Sequence, residues 1–186
     1  MNIRKATLKD TSEIAAYLML AMEDVVYGFI GEKSKEKATQ FLTNLINQKA
    51  TQYSYKNCWI GEIENEIVAV ALVYEGAKLQ ELREPVAKEI KSMFNRDFNP
   101  EDETQAGEFY IDSFAVSPNQ QGKGLGSKLF CFLIDEYVHK RNETLGLLVD
   151  RDNPNAKKLY LKLGFEIMAE KTLAGKEMEH LQFKNK

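Results

Sequence analysis

Cysteine is scarce in this sequence, and its scarcity excludes two classes of protein. Among 186 residues there are two cysteines, Cys58 and Cys131. Both lie among apolar residues, and neither belongs to a CxxC pair or to a Cys/His cluster with metal-ligand spacing. This excludes a disulfide-stapled fold, and we expect no metal. Both side chains are predicted to be buried in a protein that works in a reducing compartment.

Long apolar runs, a leader segment and basic tracts are also missing. No stretch reaches the roughly eighteen apolar residues of a membrane-spanning helix. Residues 1–7 enter a strand-like pattern without the apolar core and cleavage site of a signal peptide. The net charge is -3, without the basic run that nucleic-acid binding requires. We therefore expect a cytoplasmic protein that binds neither membranes nor nucleic acid.

Length, composition and hydrophobic periodicity predict one globular domain over residues 1–186. The chain is 44% hydrophobic and 28% charged, as in soluble proteins. The predicted strands are 2–6, 58–62, 67–74, 109–116, 144–149, 165–170 and 177–183. The predicted helices start at a capping-box-like Asp10–Glu13, at Ser34 (to Gln48), within 76–107 with an interruption or restart at Pro85, at Gly124 (to Arg141) and at Asn153 (to Leu163). With a last turn at Ala174–Gly175, this alternation indicates an α/β or α+β fold around one mixed sheet.

The segment between strand 109–116 and the following helix carries three glycines at alternate positions, Gly122, Gly124 and Gly126. Glycine permits conformations that a Cβ forbids, and the free amides and dipole of a first helical turn attract an anion. A phosphate-bearing ligand would satisfy these amides, and a water-solvated glycine turn is the alternative. Two nucleotide motifs do not fit. Gly-x-Gly-x-x-Gly would need glycine at Ser127 or Leu129, and no P-loop lysine precedes Ser127.

Two motifs in order resemble the GNAT N-acetyltransferase superfamily. Residues 121–126, QGKGLG, match the pattern Gln/Arg-x-x-Gly-x-Gly/Ala, and residues 153–165, NPNAKKLYLKLGF, match Asn-x-x-Ala-x-x-Leu-Tyr-x-x-x-Gly-Phe. The rest of the chain agrees in element order only. The resemblance implies a central, mostly antiparallel sheet of six to seven strands, splayed between strands 4 and 5 and flanked by helices. Residues 76–107 would then be an extra helical insertion between strands 3 and 4.

The resemblance implies acetyl-CoA as cosubstrate. It assigns the pyrophosphate to the glycine loop, namely Gln121, Gly122, Lys123, Gly124, Leu125, Gly126 and Ser127. The main chain of Phe114, Ala115 and Val116 would pair with the pantetheine arm like an added strand, helped by a bulge that splays this strand from strand 144–149.

The start of the last helix would lie near the thiol end of the cofactor. By resemblance, Asn153, Asn155 and Ala156 contact the cofactor there, and Asn153 also fits a helix cap. Tyr160 would protonate the departing thiolate. A core aromatic residue on an amphipathic helix is the alternative role for this tyrosine.

The amine must lose a proton, so a base or a water path to one is needed. Glu108, Tyr110 and Asp112 alternate on one face of the fourth strand, which the family geometry places beside the acetyl group. Glu108 and Asp112 are therefore the candidate bases, with solvated strand-edge acids and a water relay as the alternatives. Neither His139 nor His180 has the partners of a Ser-His-Asp or Cys-His site.

The resulting hypothesis is an N-acetyltransferase that moves an acetyl group to a primary amine of a small molecule or protein. Direct attack in a ternary complex is expected, because Cys131 lies mid-helix among apolar residues. The alternative is a non-catalytic acyl-CoA-binding or sensing domain. The insertion fits a lid, a dimerisation helix or a surface excursion. Its acidic residues 101–103 would suit a cationic acceptor such as a polyamine, an aminoglycoside or a lysine side chain. Exposed C-terminal strand edges suggest a homodimer.

Overall fold

A computed structural model describes residues 1–173 and 175–185, and within them seven strands form one sheet flanked by helices. The strands are β1 (Asn2–Lys5), β2 (Cys58–Ile63), β3 (Glu66–Glu75), β4 (Phe109–Val116), β5 (Leu145–Asp150), β6 (Glu166–Leu173) and β7 (Lys176–Phe183). The helices are α1 (Thr11–Ile30), α2 (Lys35–Ile46), α3 (Leu79–Phe94), α4 (Leu125–Leu133) and α5 (Pro154–Leu163). The predicted mixed architecture is confirmed. The predicted turn at Ala174–Gly175 lies partly outside the described residues.

The order of the strands across the sheet is β1-β2-β3-β4-β5-β7-β6. Among the described strands, β4 and β5 are the one parallel pair, and all the other neighbours are antiparallel. A parallel pair needs a crossover, which α4 provides. The helix α3 is inserted between β3 and β4, as the resemblance implied. β6 is an edge strand of the sheet. The predicted homodimer through this edge stays a prediction.

Side chains of β3 alternate between two hydrophobic layers, as the period of a strand requires. Val70 and Leu72 pack with the buried faces of α1, α2 and α3. Ala69, Ala71 and Val73 pack with α4 and the inner residues of β5. All five side chains are at most 2% exposed. Helices therefore cover both faces of the sheet, and the centre of the sheet has no solvated face.

The capping box before α1 lies one turn earlier than predicted. Thr7 and Asp10 form it: the Thr7 hydroxyl accepts from the Lys9 amide, and the Asp10 carboxylate accepts from the Thr7 amide at 2.7 Å. Arg4 of β1 donates two hydrogen bonds to the same carboxylate, so Asp10 connects β1 to the start of the helix. Within α1, Met22 has non-helical backbone angles (φ -143°, ψ 32°) and breaks the helix.

Pro85 does not interrupt α3, which corrects the predicted break. Proline removes the amide that would bond to the carbonyl of Glu81 and crowds that turn. The next carbonyl, that of Leu82, accepts from the main-chain amide of Gln52 at 3.0 Å. The helix continues through the proline. The hydrogen bond to the Leu82 carbonyl holds the main chain of Gln52 against α3.

The helix after the glycine loop is shorter and less regular than predicted. Its α-helical part ends at Leu133, and a π-helical segment, Ile134–His139, replaces the expected continuation to Arg141. Cys131 is exposed, which corrects its predicted burial, whereas Cys58 is buried as predicted. The reason is helical phase, because the neighbouring apolar residues of α4 occupy the core-facing side.

No single helix in the described ranges has the length and hydrophobicity of a membrane span. By length and composition, one pair of helical segments reaches these limits together, Leu8–Ile30 and Lys35–Ile46, and it is bent by 97°.

Candidate active site

A gap between β4 and β5 opens in the middle of the sheet. The two strands pair at three positions, from Phe109 opposite Leu145 to Ile111 opposite Leu147. β4 then continues to Val116 with β3 as its one partner among the described strands. The predicted splay between strands 4 and 5 is confirmed. One main-chain edge of the second half of β4 is consequently free.

A β-bulge lies where this gap begins. Leu72 and Val73 are consecutive on β3, but their partners on β4, Ser113 and Ile111, are separated by Asp112. Such an extra residue bends and twists its strand. Asp112 is therefore the first residue of β4 beyond the pairing with β5, at the apex of the gap.

The glycine loop joins β4 to α4 with unused main-chain donors. Gly122 and Gly124 have φ of 76° and 75°, a left-handed conformation that favours glycine, and a methyl group on either would meet no atom within 4 Å. Gly126 lies in the first turn of α4, facing the ring of Phe114. In the described part of the chain, none of the six consecutive amides from Gly122 to Ser127 donates a hydrogen bond. Together with the helix dipole they form an anion site.

Side chains contribute less to this loop than the main chain does. Leu125 is 7% exposed and belongs to the core, so its amide is the group that faces the loop. The side-chain amide of Gln121 donates to the Val116 carbonyl at 3.3 Å and ties the loop to the end of β4. Lys123 donates to the side chain of Gln120 at 2.9 Å. The predicted loop residues are thus assembled at one end of the gap.

An aromatic row connects the free edge of β4 to α5. Phe114 stacks on Phe130 at 4.2 Å between ring centroids, and Phe130 contacts the ring of Tyr160 at 5.1 Å. Phe165 lies 6.1 Å from Tyr160 and 6.2 Å from Phe130, so these three rings contact one another. The predicted strand residues and the predicted acid therefore belong to one packed unit. Ala115 points to the opposite face of the sheet and is 8% exposed.

Tyr160 is half-buried, and its hydroxyl group has no hydrogen-bond partner within 1–173 and 175–185. Burial raises the pKa of Tyr160 to about 12. At the start of α5, Asn153 caps the helix by accepting from the Ala156 amide at 3.1 Å, as expected. Asn155 is exposed and Ala156 half-buried. The core packing considered for Tyr160 is observed, and its hydroxyl group is available for the predicted role as acid, which stays a prediction.

Asp112 belongs to a network of hydrogen bonds on the α3 side of the sheet. Its Oδ2 accepts from Gln52 Nε2 at 2.8 Å and from the Tyr74 hydroxyl at 3.0 Å, and its Oδ1 from the Ser113 hydroxyl at 3.1 Å. Burial raises the pKa of Asp112, the charge of Glu103 raises it further, and the result is about 7. A carboxylate that titrates near neutrality can accept a proton from an amine.

Glu108 belongs to a different network, so the two predicted bases do not share one site. Its Oε2 accepts from His180 Nε2 at 2.8 Å and from Gln182 Nε2 at 2.7 Å, and its Oε1 accepts from the Thr104 hydroxyl at 2.7 Å. Burial would raise the pKa of Glu108, but these hydrogen bonds outweigh it and the pKa is lowered. The carboxylate crosses β5 above Gly146, where a Cβ would lie 2.0 Å from Oε2.

The insertion is part of the core, not a surface excursion. Val86 and Ile90 of α3 are fully buried, and Phe94 and Phe98 contact aromatic rings of α2 and α1. Its acidic tail, residues 101–103, folds back on the sheet. Glu103 is 8% exposed there.

Several residues of the two networks were not identified from the sequence. The residues that join Asp112 or Glu108 in these networks, directly or through one neighbour, come from the segment after α2, from β3, from the insertion and from β7: Gln52, Tyr74, Arg83, Glu103, Thr104, His180 and Gln182. These positions are far apart in the chain, and no motif joins them. The acidic residues 101–103 were the available signal, and their charge suggested a cationic acceptor, not a buried partner of Asp112.

Comparison with known proteins gives a consistent family and fold. The model of the acetyltransferase (GNAT) family matches residues 22–165. A solved acetyltransferase is 28% identical, with 99% of each chain covered and a TM-score of 0.84. An N-acetyltransferase from Staphylococcus aureus Mu50 is 21% identical, covering 98% of this chain and 100% of that one, also with a TM-score of 0.84. No curated protein sequence matches.

More distant structures share the same fold. The ribosomal-protein-S18-alanine N-acetyltransferase from Escherichia coli is 18% identical, with 98% of this chain and 92% of that chain covered and a TM-score of 0.59. The similarity extends over the insertion and the N-terminal helices, which the sequence motifs did not cover.

Proposed function

Because the chain belongs to the acetyltransferase (GNAT) family, we propose that it transfers an acetyl group from acetyl-CoA to a primary amine by direct attack in a ternary complex. The observation that carries this proposal is the row of six unused amides at the end of a strand whose edge is free. An elongated ligand with a phosphate end and an amide-bearing arm fits both features. A non-catalytic binding domain would need the same cradle but not the basic carboxylate at the apex of the gap.

The residues present fit the pyrophosphate and the pantetheine arm of acetyl-CoA. The amides from Gly122 to Ser127 would hold the pyrophosphate, because they supply N–H donors and a helix dipole without a Cβ in the way. The edge of β4 at Phe114–Val116, which pairs with no described strand, would bond the amides of the pantetheine arm as an added strand would, with the Gln121 side chain giving up its bond to the Val116 carbonyl. The ligand itself supplies a thioester, which is an activated acetyl donor.

We assign the role of general base to Asp112 and not to Glu108. Asp112 lies at the apex of the gap with a pKa of about 7, whereas Glu108 is held by three donors and its pKa is lowered. A general base works best when its pKa lies near the working pH and it is free to accept a proton. Glu108 instead links β4 to β7, so we propose a structural role for it.

The proposed proton transfers balance. Asp112 takes one proton from the acceptor's ammonium group, and the neutral nitrogen forms the new bond to the acetyl carbon as the carbon–sulfur bond breaks. The nitrogen's second proton passes to solvent, and Asp112 releases the proton it took up to solvent before the next turnover. Tyr160 donates its proton to the thiolate and is reprotonated from solvent. Direct attack needs no nucleophilic cysteine. Cys131 is exposed on α4 and is remote from the apex in sequence, so we assign it no part in the reaction.

The proposal is tested by incubating the protein with acetyl-CoA and a panel of primary amines. Release of the free thiol and a product heavier by one acetyl group are the expected results. A protein that binds acetyl-CoA in calorimetry but releases thiol with no amine of the panel would instead support the binding-domain alternative.

The cradle is tested by replacing Gly124 with valine. A β-branched residue is strongly disfavoured at φ of 75°, and its side chain would occupy the space in front of the amides. We expect the Kd for acetyl-CoA to rise by about 10- to 100-fold, in line with a loss of roughly 1–3 kcal/mol of charge-assisted hydrogen bonding. Calorimetric titration with acetyl-CoA measures this change.

Gly175→Val is the matched control for this substitution. Gly175 has the same backbone conformation, φ of 76°, and open space around it, but it lies in the turn before β7. It should carry the same local strain and leave the Kd unchanged. Equal losses of affinity in both variants would mean that strain alone weakens binding and would contradict the cradle.

Replacing Tyr160 with phenylalanine separates chemistry from packing. Since the hydroxyl group has no partner in the described part of the chain, the variant should unfold at the same temperature as the parent protein. We expect kcat to fall by about 10²-fold, the usual contribution of a general acid, with the Kd for acetyl-CoA unchanged. Unchanged turnover would remove Tyr160 from the mechanism.

A further inference from the structure

The insertion places a second carboxylate beside Asp112. Glu103 Oε1 accepts from Gln52 Nε2 at 2.6 Å and from the Tyr74 hydroxyl at 2.8 Å. Both donors also bond to Asp112 Oδ2, at 2.8 and 3.0 Å. Glu103, Gln52 and Tyr74 are at most 8% exposed. The two carboxylates are therefore joined through the same two buried donor groups.

We propose that Glu103 is a positioning residue of the acceptor site, which acts through the shared Tyr74 hydroxyl and Gln52 amide to keep Asp112 able to receive a proton. This inference rests on the proposed function and extends it. It gives the insertion a role in the reaction.

The number of hydrogens in the network supports the proposal. Tyr74 has one hydroxyl hydrogen and Gln52 Nε2 has two, whereas these two groups face each other and both carboxylates. The single hydrogen of Tyr74 can serve only one carboxylate at a time. When both carboxylates are ionised, their four contacts with these two groups need four hydrogens and only three are present, even before the contact between Gln52 Nε2 and the Tyr74 hydroxyl is counted. A proton on Asp112 supplies one more donor.

The two carboxylates differ in the charge of their partners, and this difference also favours a proton on Asp112. Arg83 pairs with Glu103 at 2.7 Å and therefore compensates that carboxylate. The hydrogen-bond partners of Asp112 in the described ranges are the neutral groups of Gln52, Tyr74 and Ser113. Glu103 is accordingly the carboxylate that has a cationic partner, and Asp112 is the one that has neutral partners.

The titratable groups that face Asp112 come from every neighbouring element. They are Tyr53 before β2, Cys58 on β2, Tyr74 on β3, Tyr110 on β4 and Glu103 in the insertion loop. Burial raises the pKa of the three tyrosines and of the cysteine, so these groups stay neutral near pH 7. Within this set, Glu103 is the one charged neighbour, and its charge raises the pKa of Asp112 after burial does.

The test follows the side-chain carboxyl of Asp112 by carbon-13 NMR in the full-length protein, with no acetyl-CoA and no amine present. The parent protein should titrate near pH 7. Glu103→Gln removes the charge with little change of shape, and the midpoint should fall by about one unit or more, a tenfold change in proton affinity. The acid limb of the pH profile for acetyl transfer should shift by the same amount once an acceptor is known.

Asp102→Asn is the matched control. It removes the same charge from the neighbouring residue, which also pairs with Arg83, but its side chain is 58% exposed and shares no donor with Asp112. Its effect on the midpoint should be much smaller because solvent screens that charge. Equal shifts in Glu103→Gln and Asp102→Asn would overturn the proposal, as would no shift in Glu103→Gln.

Tyr74→Phe provides an independent arm if Glu103→Gln fails to fold. The Tyr74 hydroxyl lowers the pKa of Asp112, so its removal should raise the midpoint, opposite to the effect of Glu103→Gln. A merely structural role would not produce shifts of opposite sign, and a downward shift in Tyr74→Phe would contradict the proposal. Since the titration needs no cosubstrate, a failure here is distinct from a failure to transfer acetyl groups.

Discussion

Replacing Asp112 with asparagine should lower the rate of acetyl transfer by about 10²- to 10⁴-fold, the contribution expected of a general base. Asparagine keeps the size of the side chain and an oxygen that can accept from Gln52 and Tyr74, but it cannot take up a proton. The loss should appear in kcat and in kcat/KM, with the Kd for acetyl-CoA unchanged. Steady-state kinetics and calorimetry measure these quantities.

The same substitution should stabilise the fold at neutral pH. The pKa of Asp112 rises from 3.8 to about 7 on folding, so the native state holds the proton more tightly than the unfolded state does. The stability that this carboxyl contributes is full at low pH and is lost as the pH rises from about 4 to about 7. Asp112→Asn removes this loss. It should therefore raise the free energy of unfolding above pH 7 by on the order of 2 kcal/mol.

Asp97→Asn is the control for both effects. Asp97 is an aspartate of the same insertion, its side chain is 95% exposed, and its partner is Lys91. This variant should change neither the rate nor the stability by more than a few tenths of a kcal/mol. A stability gain in Asp112→Asn that is constant between pH 4 and pH 8 would contradict the raised pKa, whatever the rate does.

Replacing Gly146 with alanine should destabilise the fold by about 3 kcal/mol or more, which lowers Tm by roughly 10 °C for a chain of this length. A Cβ at this position would lie 2.0 Å from Glu108 Oε2 and 2.5 Å from its Cδ. The carboxylate ends a flexible side chain, but it is buried and accepts from His180, Gln182 and Thr104. Its displacement would leave these buried donors without an acceptor, which is costly. Thermal or urea unfolding measures the change.

Gly28→Ala is the matched control for Gly146→Ala. Gly28 lies in α1, and a methyl group there would meet no atom within 4 Å. The change should be neutral or stabilise the protein by about 0.5–1 kcal/mol, because alanine is the better helix former. A double variant with Glu108→Ala should be less destabilised than the sum of the two single changes. Full additivity would mean that Gly146 does not make room for Glu108.

Local patterns predicted most of the fold. Strand and helix periods identified all seven strands and all five helices, because each element buries one face or both faces of its own short sequence. The exceptions have local causes. Pro85 lies inside a continuous helix, whose Leu82 carbonyl accepts from the Gln52 amide, and helical phase rather than composition exposes Cys131.

The site was predictable only where its parts are contiguous. The proposed anion site of residues 121–127 uses their own main chain, so the glycine spacing indicates it without knowledge of the fold. The role of Asp112 depends on Gln52, Tyr74 and Glu103, which lie up to sixty positions away in the chain. No local pattern joins such residues, because side chains from different elements meet only after the sheet and the insertion have packed.

The sequence by itself therefore determined the order of the elements, the cradle at the start of α4 and the resemblance to the family, since all three rest on neighbouring residues. The tertiary structure decided which of the two carboxylates has the raised pKa and is the better candidate for the general base. Glu108 and Asp112 looked equivalent as alternate residues of one strand. The fold surrounds Glu108 with donors across Gly146 and places Asp112 beside the buried charge of Glu103, and burial and charge set the two pKa values apart.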